Sequence, residues 1–188
     1  MVNVHPQHDA SDSASDRLGL LLGYAGWRQD SWADRLPTLL EPMGIMAYRA
    51  TSGRQASDII NTAPIHIAVV DLGLPLDELP ADQPPSETSL KEGGPRLLEM
   101  LRRLSQPPHT VVIKRRRGAR DEQREVAAAL KLGAFAVIDP PGPAEAHAST
   151  TPRTGELEVM LEVLRRILYR HYQGRWPQAG GGVPPTAV

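Results

Sequence analysis

Asp71 draws attention first, because of where it stands. It closes the run "IHIAVVDLGLP" (residues 65–75), in which Ile65, Ile67, Ala68, Val69 and Val70 lead into the carboxylate and Leu-Gly-Leu-Pro follows at once. A short apolar run bounded by a turn reads as a buried strand, so Asp71 is expected at a strand terminus. A second group with chemical potential is "KRRRGAR" (114–120), five basic residues in seven. Such a cluster either touches a phosphate-rich ligand or nucleic acid, or forms a solvated loop with one cation turned inward. The formal net charge of −1 predicts no overall pull towards nucleic acid or a membrane surface.

Other chemistries lack their residues. There is no cysteine, hence no disulfide, thiolate zinc site or cysteine nucleophile. His5, His8, His66, His109, His147 and His171 show no metal-ligand spacing, and none is paired in a motif with a serine nucleophile. "GYAGW" (23–27) lacks the further glycine and the Lys-Ser/Thr of a phosphate loop. Hydrolase, kinase and dehydrogenase readings therefore have no support, and the chain is not expected to be an enzyme.

The elements that must position Asp71 follow from periodicity. "RLGLLLG" (17–23), "IMAYRA" (45–50), "HTVVI" (109–113) and "AFAVID" (134–139) read as strands beside the Asp71 strand. Helices are expected over 30–44, with Asp30 or Ser31 as cap and Pro37 and Pro42 bending or shortening it, and over 51–63. Three more are expected: 95–106, opened by Pro95, then 119–133, ended by Gly133, and 155–172. Residues 74–94 and 140–154 read as long inserts in one domain spanning 17–176. Residues 1–16 and 177–188 are polar or Gly/Pro-rich and are expected to be a disordered lead-in and a flexible tail. With no apolar run near the length of a membrane span and no signal-like start, a cytoplasmic location is the default expectation.

Strict alternation of strand and helix implies five parallel strands covered on both faces, a flavodoxin-like, doubly wound three-layer α/β sandwich. In such sheets the reactive crevice lies at the carboxyl ends of the strands, where Asp71 falls.

With that order in place, the chain resembles the CheY-like receiver domain of bacterial response regulators over roughly residues 17–172. "VVDLGLP" (69–75) is similar to the phospho-acceptor strand and its turn. "GGPRLLEMLRRL" (93–104) resembles the helix that follows, and "LKLGAFAVIDPP" (130–141) the passage through the fifth strand to a lysine–proline pair. The resemblance implies Asp71 as acceptor, an acidic pair after the first strand that holds Mg²⁺, a Ser/Thr after the fourth strand and a Lys after the fifth.

Here the pattern departs. The acid-pair position falls at Gly23 and Tyr24, and no carboxylate occurs from Arg17 to Gln29. The hydroxyl position falls within "KRRR" (114–117), the aromatic switch position at Val137 and the lysine position at Pro140. This implies a degenerate, stand-alone receiver with its Mg²⁺ site lost and no cofactor, acting through protein contacts. Asp71 is then either a residual phospho-acceptor in a phosphorelay or a strand terminus that bonds the next loop or pairs with Lys114, Arg115 or Arg116. The resemblance places an interface for a regulatory protein or a second copy on 119–138 and 155–172. A nucleic-acid or phosphate-ligand module built on Lys114–Arg120 is the reading of a different class.

Overall fold

Strand β1 (Leu18–Gly23) is buried at every position, and β3 (Ile67–Asp71) at every position but its last. Runs that are apolar on both faces suit the interior of a parallel sheet. That is how they are used: the sheet order is β2-β1-β3-β4-β5, with every neighbouring pair parallel. The other strands are β2 (Ile45–Ala50), β4 (His109–Ile113) and β5 (Ala136–Ile138). The computed structural model describes residues 17–24, 32–77, 87–115, 118–139 and 155–173, the side chains of 32, 87–92 and 155–156 excepted. The expected terminal segments, the 140–154 insert and the caps at Asp30 and Ser31 lie outside these residues.

Side-chain alternation sorts the strands into two cores. Leu20, Leu22, Ile67, Val69, Val111 and Ile113 face one side, under α1 (Trp32–Leu40) and α5 (Gly155–His171). Leu21, Ala68, Val70 and Val112 face the other, under α2 (Gly53–Thr62), α3 (Glu87–Arg102) and α4 (Ala119–Lys131). α1 continues into a 3₁₀ turn at Glu41–Met43, where Pro42 cannot donate the next helical bond. α2 starts on the Ser52 cap: Gln55 N–H donates to the Ser52 hydroxyl at 3.1 Å, and Thr51 N–H, one residue before the cap, donates to the Gln55 side chain at 2.8 Å.

α3 begins earlier than Pro95 suggests. The helix runs from Glu87 with Pro95 inside it. The reason lies next door, where Gly94 N–H donates out of the helix to the Leu74 carbonyl at 3.1 Å. The loss of a donor at Pro95 thus falls where the helix already turns its bonds towards the loop it packs on. The segment expected as one insert over 74–94 is helical in its last part and includes buried Leu74 and Pro75 at its start.

The opposite, amino-terminal edge of the sheet carries a ring cluster. His109 and His171 stack with centroids 3.7 Å apart, with Phe135 and Tyr172 edge-on to His109. His66 Nδ1 accepts from Gly19 N–H at 2.9 Å, and the Tyr172 hydroxyl donates to the His66 carbonyl at 2.9 Å. Burial lowers the affinity of His66 for a proton, and burial, then the neighbouring His171, lowers that of His109. Both groups bind protons more readily in the unfolded chain, so their contribution is fully present above the unfolded histidine range. It is lost as pH falls from about 6.5 through the depressed folded values. Thermal unfolding is therefore expected at a lower midpoint at about pH 5.5 than at about pH 7.5, with a smaller difference in His109→Phe. A midpoint equally pH-dependent in both proteins would remove His109 from this account.

Candidate functional site

The chain leaves β1 for the sheet edge at β2 and returns to β3, so the order reverses between β1 and β3. The crevice of a doubly wound sheet lies outside the carboxyl ends of the strands at such a point. Register fixes what arrives there. Gly23 pairs with Val70, Asp71 with Ile113, and Ile113 with Ile138. Gly23–Tyr24, Asp71–Leu72, Lys114–Arg115 and Asp139 are thus brought to one edge.

Asp71, half-buried, turns its carboxylate back on its own loop: Oδ1 accepts from Gly73 N–H at 2.7 Å. Aspartate is suited to this, since its short side chain mimics a backbone turn. The loop is also held from three directions. Gly53 and Arg54 of α2 donate to the carbonyls of Pro75 and Leu76 at 2.8 and 2.9 Å, and Gly94 of α3 donates to Leu74. From β4, the Arg115 guanidinium donates to the Leu72 carbonyl, through Nε at 2.6 Å and also through Nη2.

Of the three cations expected near Asp71, Lys114 goes elsewhere. Its ammonium pairs with Asp139 at 2.9 Å and Glu122 at 3.1 Å. Parallel pairing of β4 with β5 sets Asp139 beside it, and the first turn of α4 supplies Glu122. The hydrogen bonds it donates to Asp139, then to Glu122, hold the ammonium above the ordinary lysine range. Arg115 reaches the residue after Asp71, and Arg116 lies outside the described residues.

No family model and no curated protein matches the sequence. Solved structures do match. A CheY-like response regulator receiver domain protein from Methanospirillum hungatei JF-1 has a TM-score of 0.55 at 16% identity, covering 84% of this chain and 98% of that one. The signal receiver domain of an HD domain-containing protein from Pseudomonas fluorescens Pf-5 gives the same four values. A response regulator from Thermotoga maritima scores 0.54 at 14% identity, covering 81% and 98%. The chain has the receiver fold. At such identities the likeness is one of architecture.

On this receiver fold, Asp71 occupies the end of the central strand β3. Gly23 ends β1, and a Cβ there would stand 3.2 Å from Leu97 Cδ2 and 3.3 Å from Leu74 Cδ2, so two leucines fill the adjoining space. Tyr24 packs partly buried against the α1/α5 core, and Val137 against the other. Pro140 lies outside the described residues. Among the described residues no group of three His, Cys, Asp or Glu is placed to hold a metal ion.

Sequence reasoning missed Asp139 and Glu122 as partners of Lys114, which only strand register and helix packing bring together. It also missed why "GG" precedes Pro95. A Cβ on Gly94 would lie 2.5 Å from the Asp71 carbonyl oxygen, and one on Gly93 would lie 2.3 Å from that of Leu74. The glycine pair was visible as a signal for close backbone approach.

Proposed function

We propose that this protein is a degenerate receiver domain that signals by protein–protein contact without phosphorylation. The observation that carries the reading is at Gly23. In the place where the resemblance calls for metal-holding carboxylates, the chain has glycine and tyrosine, and leucines crowd the glycine. Magnesium takes oxygen ligands in near-octahedral geometry. Among the described residues, Asp139 and Glu122 are engaged by Lys114 and Asp71 turns to its own loop, a donor set that does not fit it, and no phosphoryl step is assigned to the site.

The rearranged charges support the same reading. A receiver that switches needs a hydroxyl after the fourth strand and a lysine after the fifth. Here a lysine follows β4 and is tied to an aspartate after β5 and a glutamate on α4. That bridge joins the β4–α4 turn to the end of β5. A domain held in one arrangement there can present a constant surface to a partner. With Lys114 paired to carboxylates and Arg115 bonded to a backbone carbonyl, two of the five basic residues in 114–120 are engaged within the protein, which counts against a nucleic-acid site. No helix among the described residues is long and apolar enough to cross a membrane.

Titration with Mg²⁺ and beryllofluoride, followed by amide NMR, tests the proposal. The spectrum is expected to stay unchanged in wild type and in Asp71→Asn. Shifts at residues 69–75 and 113–118 that vanish in Asp71→Asn would overturn it in favour of a working phospho-acceptor.

A further inference from the structure

We propose that the ring cluster at the amino-terminal edge of the sheet is a proton-operated latch. In acid it releases the last turn of α5, residues 169–173, while the rest of the domain stays folded. The device lies at the opposite edge from Asp71 and stands whether or not that site takes a phosphoryl group.

The last turn is held differently from the helix before it. Met160, Leu164, Ile167 and Leu168 seat α5 in the core, whereas Tyr169, Arg170 and Gln173 are exposed and His171 and Tyr172 half-buried. His171 stacks on His109 at 3.7 Å, with the planes 26° apart, and has Phe135 edge-on at 5.8 Å. Tyr172 rests on the margin of the core, edge-on to both His109 and His66, with its hydroxyl bonded to the His66 carbonyl. That carbonyl also accepts from His109 N–H at 3.0 Å, so one oxygen ties β4 and α5 to the lead-in of β3.

Two of these contacts require neutral rings. His66 Nδ1 accepts from Gly19 N–H, so its ring proton sits on Nε2. A second proton, taken from solvent onto Nδ1, sets a donor against a donor, and the bond is lost. In the stack, charge on both His109 and His171 places two cations face to face, half-buried where water screens them less. The charges nearby do not offset either proton. Arg17 precedes β1, Lys131 ends α4 and Arg170 adjoins His171. Asp71 and Asp139 stand at the far ends of their strands, and Glu41 lies ahead of β2, with β1 between it and β3. Among the described residues no carboxylate forms an ion pair with His66, His109 or His171. Burial, and for His109 also His171, makes both rings bind protons less readily in the latched state, so acid favours release.

The full chain is followed by amide NMR and far-UV circular dichroism from about pH 7.5 to about pH 5.5, the window around the ordinary histidine value. Expected is one transition shared by the amides of Gly19, His66, His109 and residues 169–173. The heteronuclear NOE should fall at 169–173, the released fraction should rise at least about tenfold, and dichroism should lose no more than one helical turn. His66→Asn keeps an acceptor for Gly19 that takes no proton in this range. Combined with His109→Phe it should abolish the transition. His171→Gln removes one of the facing charges at a half-buried position and should move the transition to lower pH. Tyr172→Phe drops the hydroxyl and should move it to higher pH. A transition unchanged in the variants that fold, amides that all broaden together, or an NOE at 169–173 that stays level would overturn the latch.

Discussion

Gly94→Ala is expected to destabilise the protein by about 3 kcal/mol, the upper part of the range for overpacking a close contact, and to shift the amides of Asp71 and Leu72. The added methyl would stand 2.5 Å from the Asp71 carbonyl oxygen, 2.7 Å from Leu72 Cα and 2.9 Å from the Leu72 carbonyl carbon. All three are backbone atoms, so no rotamer change can make room. α3 would have to move off the loop, which strains the bond from Gly94 N–H to the Leu74 carbonyl. Leu97, Leu98 and Leu101 of the same helix are buried in the core beneath, so the helix cannot move without opening that core. Urea unfolding gives the magnitude, and the amide spectrum shows where it falls. Gly118→Ser is the control. Gly118 has nothing within 4 Å of a would-be Cβ and precedes α4 as its N-cap, so the change should stay within about 0.5 kcal/mol of wild type. A Gly94→Ala protein as stable as that control would mean that the helix slides freely over the Asp71 loop, and that the loop is not held in the way described.

Much of this architecture was legible because strand burial leaves a plain trace. "HTVVI" became β4 over the residues expected, and the parity of Leu20 and Leu22 against Leu21 divides the two cores. A local pattern cannot report what a residue meets across the sheet. Lys114 was grouped with Arg115 and Arg116 because they are adjacent in sequence, yet alternation and register send it to Asp139 and Glu122. The start of α3 was placed at Pro95 because proline favours a first turn. The actual helix tolerates the proline because its neighbour Gly94 bonds to the Asp71 loop. In both cases a non-local partner decided the outcome. Asp71 at the carboxyl edge was legible for the converse reason, since the end of an apolar run and the end of a strand are the same event.

Met160→Ala is expected to cost about 3 kcal/mol, within the range for truncating a buried side chain to alanine, and to lower the unfolding midpoint by roughly 10 °C. Met160 is fully buried, and it packs with Leu164, Ile167 and Leu168 as the inner face of α5 on the β1–β3–β4 surface. The other buried side chains of the α1/α5 core are leucine, isoleucine, valine and one alanine, so the flexible thioether fills space that these neighbours cannot repack without leaving their rotamers. α5 is fastened at its far end by the bond from the Tyr172 hydroxyl to the His66 carbonyl. Truncation should therefore loosen the first turns of the helix more than the last, and faster amide hydrogen exchange in the first half of α5 than around Leu168 would show it. Val159→Ala, one residue away and 53% exposed, should stay within about 0.5 kcal/mol of wild type. If the two substitutions cost the same, α5 is not seated through Met160. If the loosening instead spreads evenly along the helix, Tyr172 is not its second anchor, and the seating of α5 depends on the sheet contact alone.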